Sequence, residues 1–197
     1  MPERFLIRRT GQGMNVYEFD TKDNQAYLYA PDDVCQQCEP EAPCSIGANW
    51  SPPTFELVRS DEYRSNLPKS DFPIFTIATM VLSERAVKRL RPLLLTCGEI
   101  LPIRLSNDHD IFFLFNVTRV IDAVDMRRSK FMDLPSGSIG PCELLVFDPA
   151  LIPSDALFFK TKQLGTATSI FATERAVAAV MAAHLTGYEF RLAWTNE

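Results

Sequence analysis

Apolar residues recur at helical spacing along two stretches of this chain, and each stretch is flanked by runs that read as strands. In the first, Val87, Leu90, Leu93 and Leu94 fall on one face while Lys88, Arg89 and Arg91 point elsewhere. Ser83 is placed to cap that helix, with Glu84 in the first turn, where a carboxylate meets the positive end of the backbone dipole. Pro92 should kink or shorten the last turn, and Gly98 reads as a stop. In the second stretch Thr173 is the cap, and Val177, Val180, Met181 and His184 lie on one side ahead of Gly187. The two openings are near copies, Leu82-Ser83-Glu84-Arg85-Ala86-Val87 and Ala172-Thr173-Glu174-Arg175-Ala176-Val177. The exits echo as well, Leu95-Thr96-Cys97-Gly98-Glu99-Ile100 against Leu185-Thr186-Gly187-Tyr188-Glu189-Phe190. The organising unit is strand–helix–strand, used twice.

Strands are expected at 4–9 and 15–19, with Gly11-Gln12-Gly13 as a hairpin turn, and at 26–30. Further runs lie at 72–80, 100–105, 119–124, 143–147, 157–161, 169–171 and 188–194. Residues 110–117 are almost continuously apolar, the pattern of a central strand covered on both faces. Between 31 and 70 the chain turns Pro-, acid- and Cys-rich, which predicts a long surface excursion without regular elements. Trp50 and Phe55 are expected to pin parts of it to the body. The fold class that follows is α+β, a mixed, largely antiparallel sheet with two main helices and a long N-terminal loop excursion. The expected organisation is one domain over 1–197, with N-terminal strands and an acidic Cys/Pro-rich loop in 1–70 and an α+β body in 71–197.

At 197 residues, 46% hydrophobic and 23% charged, the chain has the composition of a folded globular protein. No apolar run approaches the roughly 18 residues of a membrane span. Charges on both sides of a short apolar patch at the N-terminus do not fit a signal peptide, so the expected location is cytoplasmic. Net charge is −5, but its distribution is uneven. Residues 17–62 hold ten acids against Lys22 and Arg59, a net −8, whereas 85–130 hold nine bases and five acids. Such an acidic stretch repels nucleic acid and steers a basic partner. A solvated surface kept soluble by charge explains it equally well. Under the first explanation the partner-binding candidates are Asp32, Asp33, Glu39, Glu41, Asp61 and Glu62.

Candidate chemistry is sparse. Cys35-Gln36-Gln37-Cys38 with Cys44 offers two or three thiolates at a bite that suits tetrahedral zinc, and His109, Cys97 or Cys142 would have to supply the fourth ligand. A redox role would want this pair at the start of a helix, which Pro40 and Pro43 argue against. Asp108-His109-Asp110 reads as a polar turn more readily than as an acid–base group. Asp122, Asp125, Arg127 and Arg128 read as a strand end whose carboxylates bond turn amides, with the arginines solvated or ion-paired. No H-E-x-x-H, G-x-S-x-G, phosphate loop or dinucleotide fingerprint is present, and the expectation is no enzyme, no resident cofactor (zinc apart), no nucleic acid and no membrane partner.

One ordered series of blocks carries a family likeness. It runs from Trp50-Ser51-Pro52-Pro53 through Leu67-Pro68-Lys69-Ser70-Asp71-Phe72-Pro73 to the first helix, then Gly98-Glu99-Ile100-Leu101-Pro102. Phe115-Asn116-Val117-Thr118-Arg119 follows, then the second helix opening and Leu185-Thr186-Gly187-Tyr188-Glu189-Phe190. In these blocks, over roughly residues 48–195, the chain resembles family eleven of the immunity proteins of bacterial polymorphic toxin systems, formerly a domain of unknown function. The resemblance implies a protein without a catalytic task, which binds and neutralises a cognate toxin domain in the producing or kin cell. It transfers no site residues. The competing reading is a small zinc-binding regulatory or redox module on Cys35, Cys38 and Cys44, and stoichiometric zinc in purified protein would separate the two.

Overall fold

The computed structural model describes residues 13–38, 44–76, 79–133, 139–162, 164 and 169–196. The chain opens with β1 (Asn15–Thr21), β2 (Tyr27–Tyr29), α1 (Asp32–Cys38) and β3 (Thr54–Val58). The first repeat follows as β4 (Met80–Ser83), α2 (Glu84–Leu94) and β5 (Gly98–Pro102). Then come β6 (Arg104–Leu105), β7 (Phe112–Val117), β8 (Lys130–Asp133), β9 (Ile139–Leu144) and β10 (Phe158–Phe159). The second repeat is β11 (Phe171–Thr173), α3 (Glu174–Ala182) and β12 (Tyr188–Thr195). The α+β class holds. The strands divide among four sheets rather than one, with orders β10-β11-β1-β12, β2-β3-β6, β4-β7-β5 and β8-β9. Every pairing is antiparallel except β3 with β6.

The two repeats share more than sequence. In each, the strands before and after the helix are separated by a third strand, antiparallel to both: β7 between β4 and β5, and β1 between β11 and β12. The first unit takes its middle strand from the residues just after it. The second takes it from the N-terminal part of the chain, with Asn15 opposite Thr195 and Thr21 opposite Tyr188. β1 thus has neighbours on both sides, and the expected hairpin partner at 4–9 lies outside the described residues.

Helix faces follow the apolar spacing where it is strongest. Ala86, Val87, Leu90 and Leu94 of α2 are buried, and Ser83 accepts the Ala86 N–H at 3.1 Å as the expected cap. They pack with Leu82 and Phe115 of their own unit and with Phe19, Ile170, Ala172 and Val180 of the other, so one core joins both repeats. The opposite face of β4–β7–β5, through Val81, Leu101 and Leu114, packs on Leu28, Phe55 and Leu57 of the β2–β3–β6 sheet. Residues 112–117 are thus a central strand covered on both sides, as their composition requires.

Several expectations fail for identifiable reasons. The excursion between 31 and 70 contains α1 and β3. Pro31 sits just ahead of α1, where proline fits a helix start, and its carbonyl accepts the N–H groups of Val34 and Cys35. Asp32 and Asp33 then occupy the first turn, where the helix dipole favours carboxylates. Thr173 heads α3 without capping it, and its hydroxyl donates instead to the Ala156 carbonyl at 2.7 Å. The buried face of α3 is Ala176 and Val180, while Met181 is 59% exposed and His184 lies past the helix end at φ 48°. Gly98 starts β5 rather than stopping α2. A Cβ there would lie 2.2 Å from the Asn116 carbonyl oxygen, so only glycine allows this strand approach. Among the described residues of 72–80 only Met80 belongs to a strand, with bridges at Ile74, Thr76 and Thr79, and 119–124 form two isolated bridges.

Asp71 joins the repeats. Its buried carboxylate accepts the Ser83 hydroxyl at 2.7 Å, Arg85 Nη1 at 3.0 Å, and Thr186 through N–H at 2.9 Å and hydroxyl at 3.1 Å. Arg85 also donates to the His184 carbonyl at 2.7 Å, and Arg89 to that of Ala183, so two cations of α2 close the negative end of α3. Asp71→Ala strips four donors of one acceptor and should cost about 3 kcal/mol. Thr173→Ala, which removes a single bond, should cost about 1 kcal/mol. Urea unfolding of both variants checks the order, and equal losses would refute a joint centred on Asp71.

Candidate functional site

The thiols come first. α1 presents Cys35 and Cys38 three residues apart toward the body. Cys38 is buried among Ala30, Leu28 and Phe55, where it behaves as a small hydrophobe. Cys35 is half-buried, and its thiol donates to the Ala30 carbonyl at 3.6 Å. Cys44 is exposed, Cys97 is buried in the core shared by the repeats, and Cys142 is exposed on β9. Burial pushes the Cys97 thiol above its ordinary range, and partial desolvation of its sulfur does the same for the otherwise exposed Cys142. Among the described residues no group of three or more His, Cys, Asp and Glu side chains is arranged to hold a metal ion. The zinc reading gains no support from this placement.

The acidic stretch is divided by the fold. Glu18 and Asp20 of β1 face Arg191 of β12, at 3.7 and 2.7 Å, and are spent inside their own sheet. Asp32 and Asp33 are exposed at the start of α1, which follows β2. Asp61 and Glu62 are exposed in the turn after β3, where Asp61 accepts the Tyr63 N–H at 2.9 Å and lies 3.6 Å from Arg64. Since β2 and β3 run antiparallel, with Tyr27 opposite Val58 and Tyr29 opposite Glu56, these two acid pairs sit at opposite ends of one ladder. Glu39 and Glu41 lie outside the described residues.

One functional-looking carboxylate escaped the sequence reading. Glu99 on β5 accepts the Ser45 hydroxyl at 2.6 Å, the N–H groups of Ile46 at 2.9 Å and Gly47 at 3.3 Å, and the Asn116 amide at 3.0 Å. Asn116 also donates to the Cys44 carbonyl at 2.8 Å, and the Trp50 indole to the Pro102 carbonyl at 2.8 Å. Together they clamp residues 44–50 to the first repeat, and the buried Phe55 completes the pinning expected of it. Burial alone would raise the Glu99 carboxyl, but these donors outweigh it and hold the group below its ordinary range. Nothing in the local sequence marks Glu99, because its partners arrive from some fifty residues upstream.

The remaining titratable clusters are structural. Asp108 and Asp110 both turn to Lys69, at 2.6 and 2.7 Å, rather than to His109. Those bonds raise the Lys69 ammonium, and the one from Lys69 lowers the Asp108 carboxyl. Asp125 accepts the N–H groups of Arg127 and Arg128 at 3.0 and 3.2 Å while both arginines stay exposed, the capped turn anticipated for this segment. Arg119 and Asp155 form a two-pronged pair at 3.2 and 2.9 Å, and the arginine holds the Asp155 carboxyl down. Each of these carboxylates is committed to a lysine, an arginine or a turn.

A model of the Immunity protein family (Imm11) matches residues 5–195. The chain belongs to that family. Immunity families are generally non-enzymatic, and the family implies a toxin partner in general terms. The match to Imm11 reaches well upstream of residue 48, so β1, β2, the thiol-bearing α1 and the acidic ladder belong to the family's domain. A search of the curated proteins finds no match. Among the described residues of this Imm11 member, no helix is long and apolar enough to cross a membrane.

The depressed Glu99 carboxyl carries a pH dependence with a definite sign. Its contribution is present above the ordinary carboxylate range and is lost as pH falls through the lowered folded value. Glu99→Ala should therefore cost about 1–2 kcal/mol at neutral pH and progressively less on acidification. Amide hydrogen exchange at Ile46 and Gly47 is the direct readout. Exchange equally slow in wild type and variant at neutral pH would remove the clamp.

Proposed function

We infer that this protein neutralises a cognate toxin domain by direct contact in the cytoplasm of the producing or kin bacterial cell, as one half of an effector–immunity pair used in interbacterial competition. Membership of Imm11 across residues 5–195 is the observation that carries this reading. The exposed acids at both ends of the β2–β3 ladder support a basic toxin surface as the counterpart, because opposite potentials accelerate encounter and reject partners of the wrong sign. The protein acts by occupation, not by turnover. The carboxylates of Asp71, Glu99, Asp108 and Asp125 are engaged in a joint, a clamp, an ion pair and a capped turn.

The experiment pairs the protein with the C-terminal domain of the toxin gene encoded beside its own. Co-expression should restore growth, and the purified proteins should form a complex. Replacing Asp32, Asp33, Asp61 and Glu62 together with Ser should slow association about tenfold at low salt, a deficit that shrinks as salt rises. Failure of the wild-type protein to protect would end the reading. Unchanged association kinetics in the variant would detach toxin binding from the acids.

A further inference from the structure

Resting on the toxin-binding reading, we propose that the outer face of the β2–β3–β6 sheet, centred on Tyr29 and Glu56, is the docking face for an Arg/Lys-rich protein surface. Strand alternation builds this face. Leu28, Phe55 and Leu57 point into the core, so Tyr27, Tyr29, Thr54, Glu56 and Val58 point outward. Tyr29 stands directly across the ladder from Glu56 and is 58% exposed, an unusual position for a large aromatic on a described strand. Tyr27 stands across from Val58, and Arg104 across from Thr54 on the parallel neighbour.

Charge selects the occupant. Asp32 and Asp33 border one end of the ladder and Asp61 and Glu62 the other, with Glu56 between them. Of the cations near this face, Arg59 donates to the Leu67 carbonyl at 3.1 Å, Arg64 lies beside Asp61, and Arg104 is exposed at the far edge of the sheet, across from Thr54. Beyond Tyr27 the face runs into a cleft of about 340 Å³ lined by Asp23, Tyr27, Asp61, Arg64, Leu67 and Ile74. That volume accepts a long side chain; Arg64 already lies beside Asp61 there, which leaves the Asp23 carboxylate near the ring of Tyr27 for a guanidinium or ammonium group. Nucleic acid and anionic membranes are repelled by the same carboxylates, and the face of a second copy carries the same sign. The strands beneath are backed by packed Leu57, Val81 and Leu114, so the aromatic and the acid are held in place before the partner arrives.

The test uses the full chain and the neighbouring toxin domain in a calorimetric or interferometric titration. Tyr29→Ala combined with Glu56→Lys should weaken binding about thirtyfold or more. Glu189→Lys combined with Leu192→Ala, on exposed positions of β12 in the β10-β11-β1-β12 sheet, should leave it within twofold. Should the first pair lower the melting temperature, the milder Tyr29→Phe with Glu56→Gln replaces it, with an expected loss of about fivefold. Wild-type binding that either folded face variant reproduces within twofold overturns the docking face while leaving the toxin-binding function intact. A wild-type protein that does not bind the toxin domain overturns the function and the face together. Light scattering adds the remaining outcome: self-association abolished by Tyr29→Ala would assign the face to a second copy and overturn the proposal.

Discussion

A single buried carboxylate, that of Asp71, fixes how the two strand–helix–strand units meet. It ties the cap of α2 through Ser83, the side of that helix through Arg85, and the turn between α3 and β12 through Thr186. The hydrophobic core between the units is non-directional and tolerates small shifts of one sheet over the other. Four hydrogen bonds to one side chain do not. Arg85 extends the joint to the last carbonyls of α3, so the helices are related by charge and dipole as well as by packing. The repeat seen in the sequence is therefore more than a duplicated element. Its Ser-Glu-Arg opening supplies the cap and the cation in one unit, while Thr-Glu-Arg in the other sends its hydroxyl to Ala156 and its arginine to Ser154.

What could be read beforehand was whatever depends on neighbours in sequence. Ser83 and the Val87, Leu90, Leu94 spacing announced α2, and the unbroken apolar run at 112–117 announced a strand buried on both faces. What escaped depends on distant approach. β1 was visible as a strand, but its insertion between β11 and β12 was not, because those partners lie at the other end of the chain. α1 is hidden by a Pro-rich composition that reads as helix-breaking, although Pro31 stands where a helix begins. Glu99 carried no local signal at all, since its role is created by the return of residues 45–47 to β5.

The acids show the same division. Their number was plain, and their partition was not. Glu18 and Asp20 vanish into a cross-strand pair with Arg191, Asp108 and Asp110 into Lys69, and Asp71 into the joint. What remains exposed around β2 and β3 is a smaller, better-placed set than the raw count suggested. An immunity protein needs such economy, since every carboxylate locked in the scaffold is unavailable to a partner.

The borrowed middle strand of the second repeat bears on how the molecule is made. The first repeat draws on residues 80–117, a contiguous stretch whose strands and helix are translated together. β1 leaves the ribosome long before β11 and β12, the two neighbours that flank it. A strand with two waiting edges is an adhesive surface until they are filled. The second repeat can thus close its sheet only after the nascent polypeptide has folded back on β1, and translation halted before β12 leaves that strand with a bare edge.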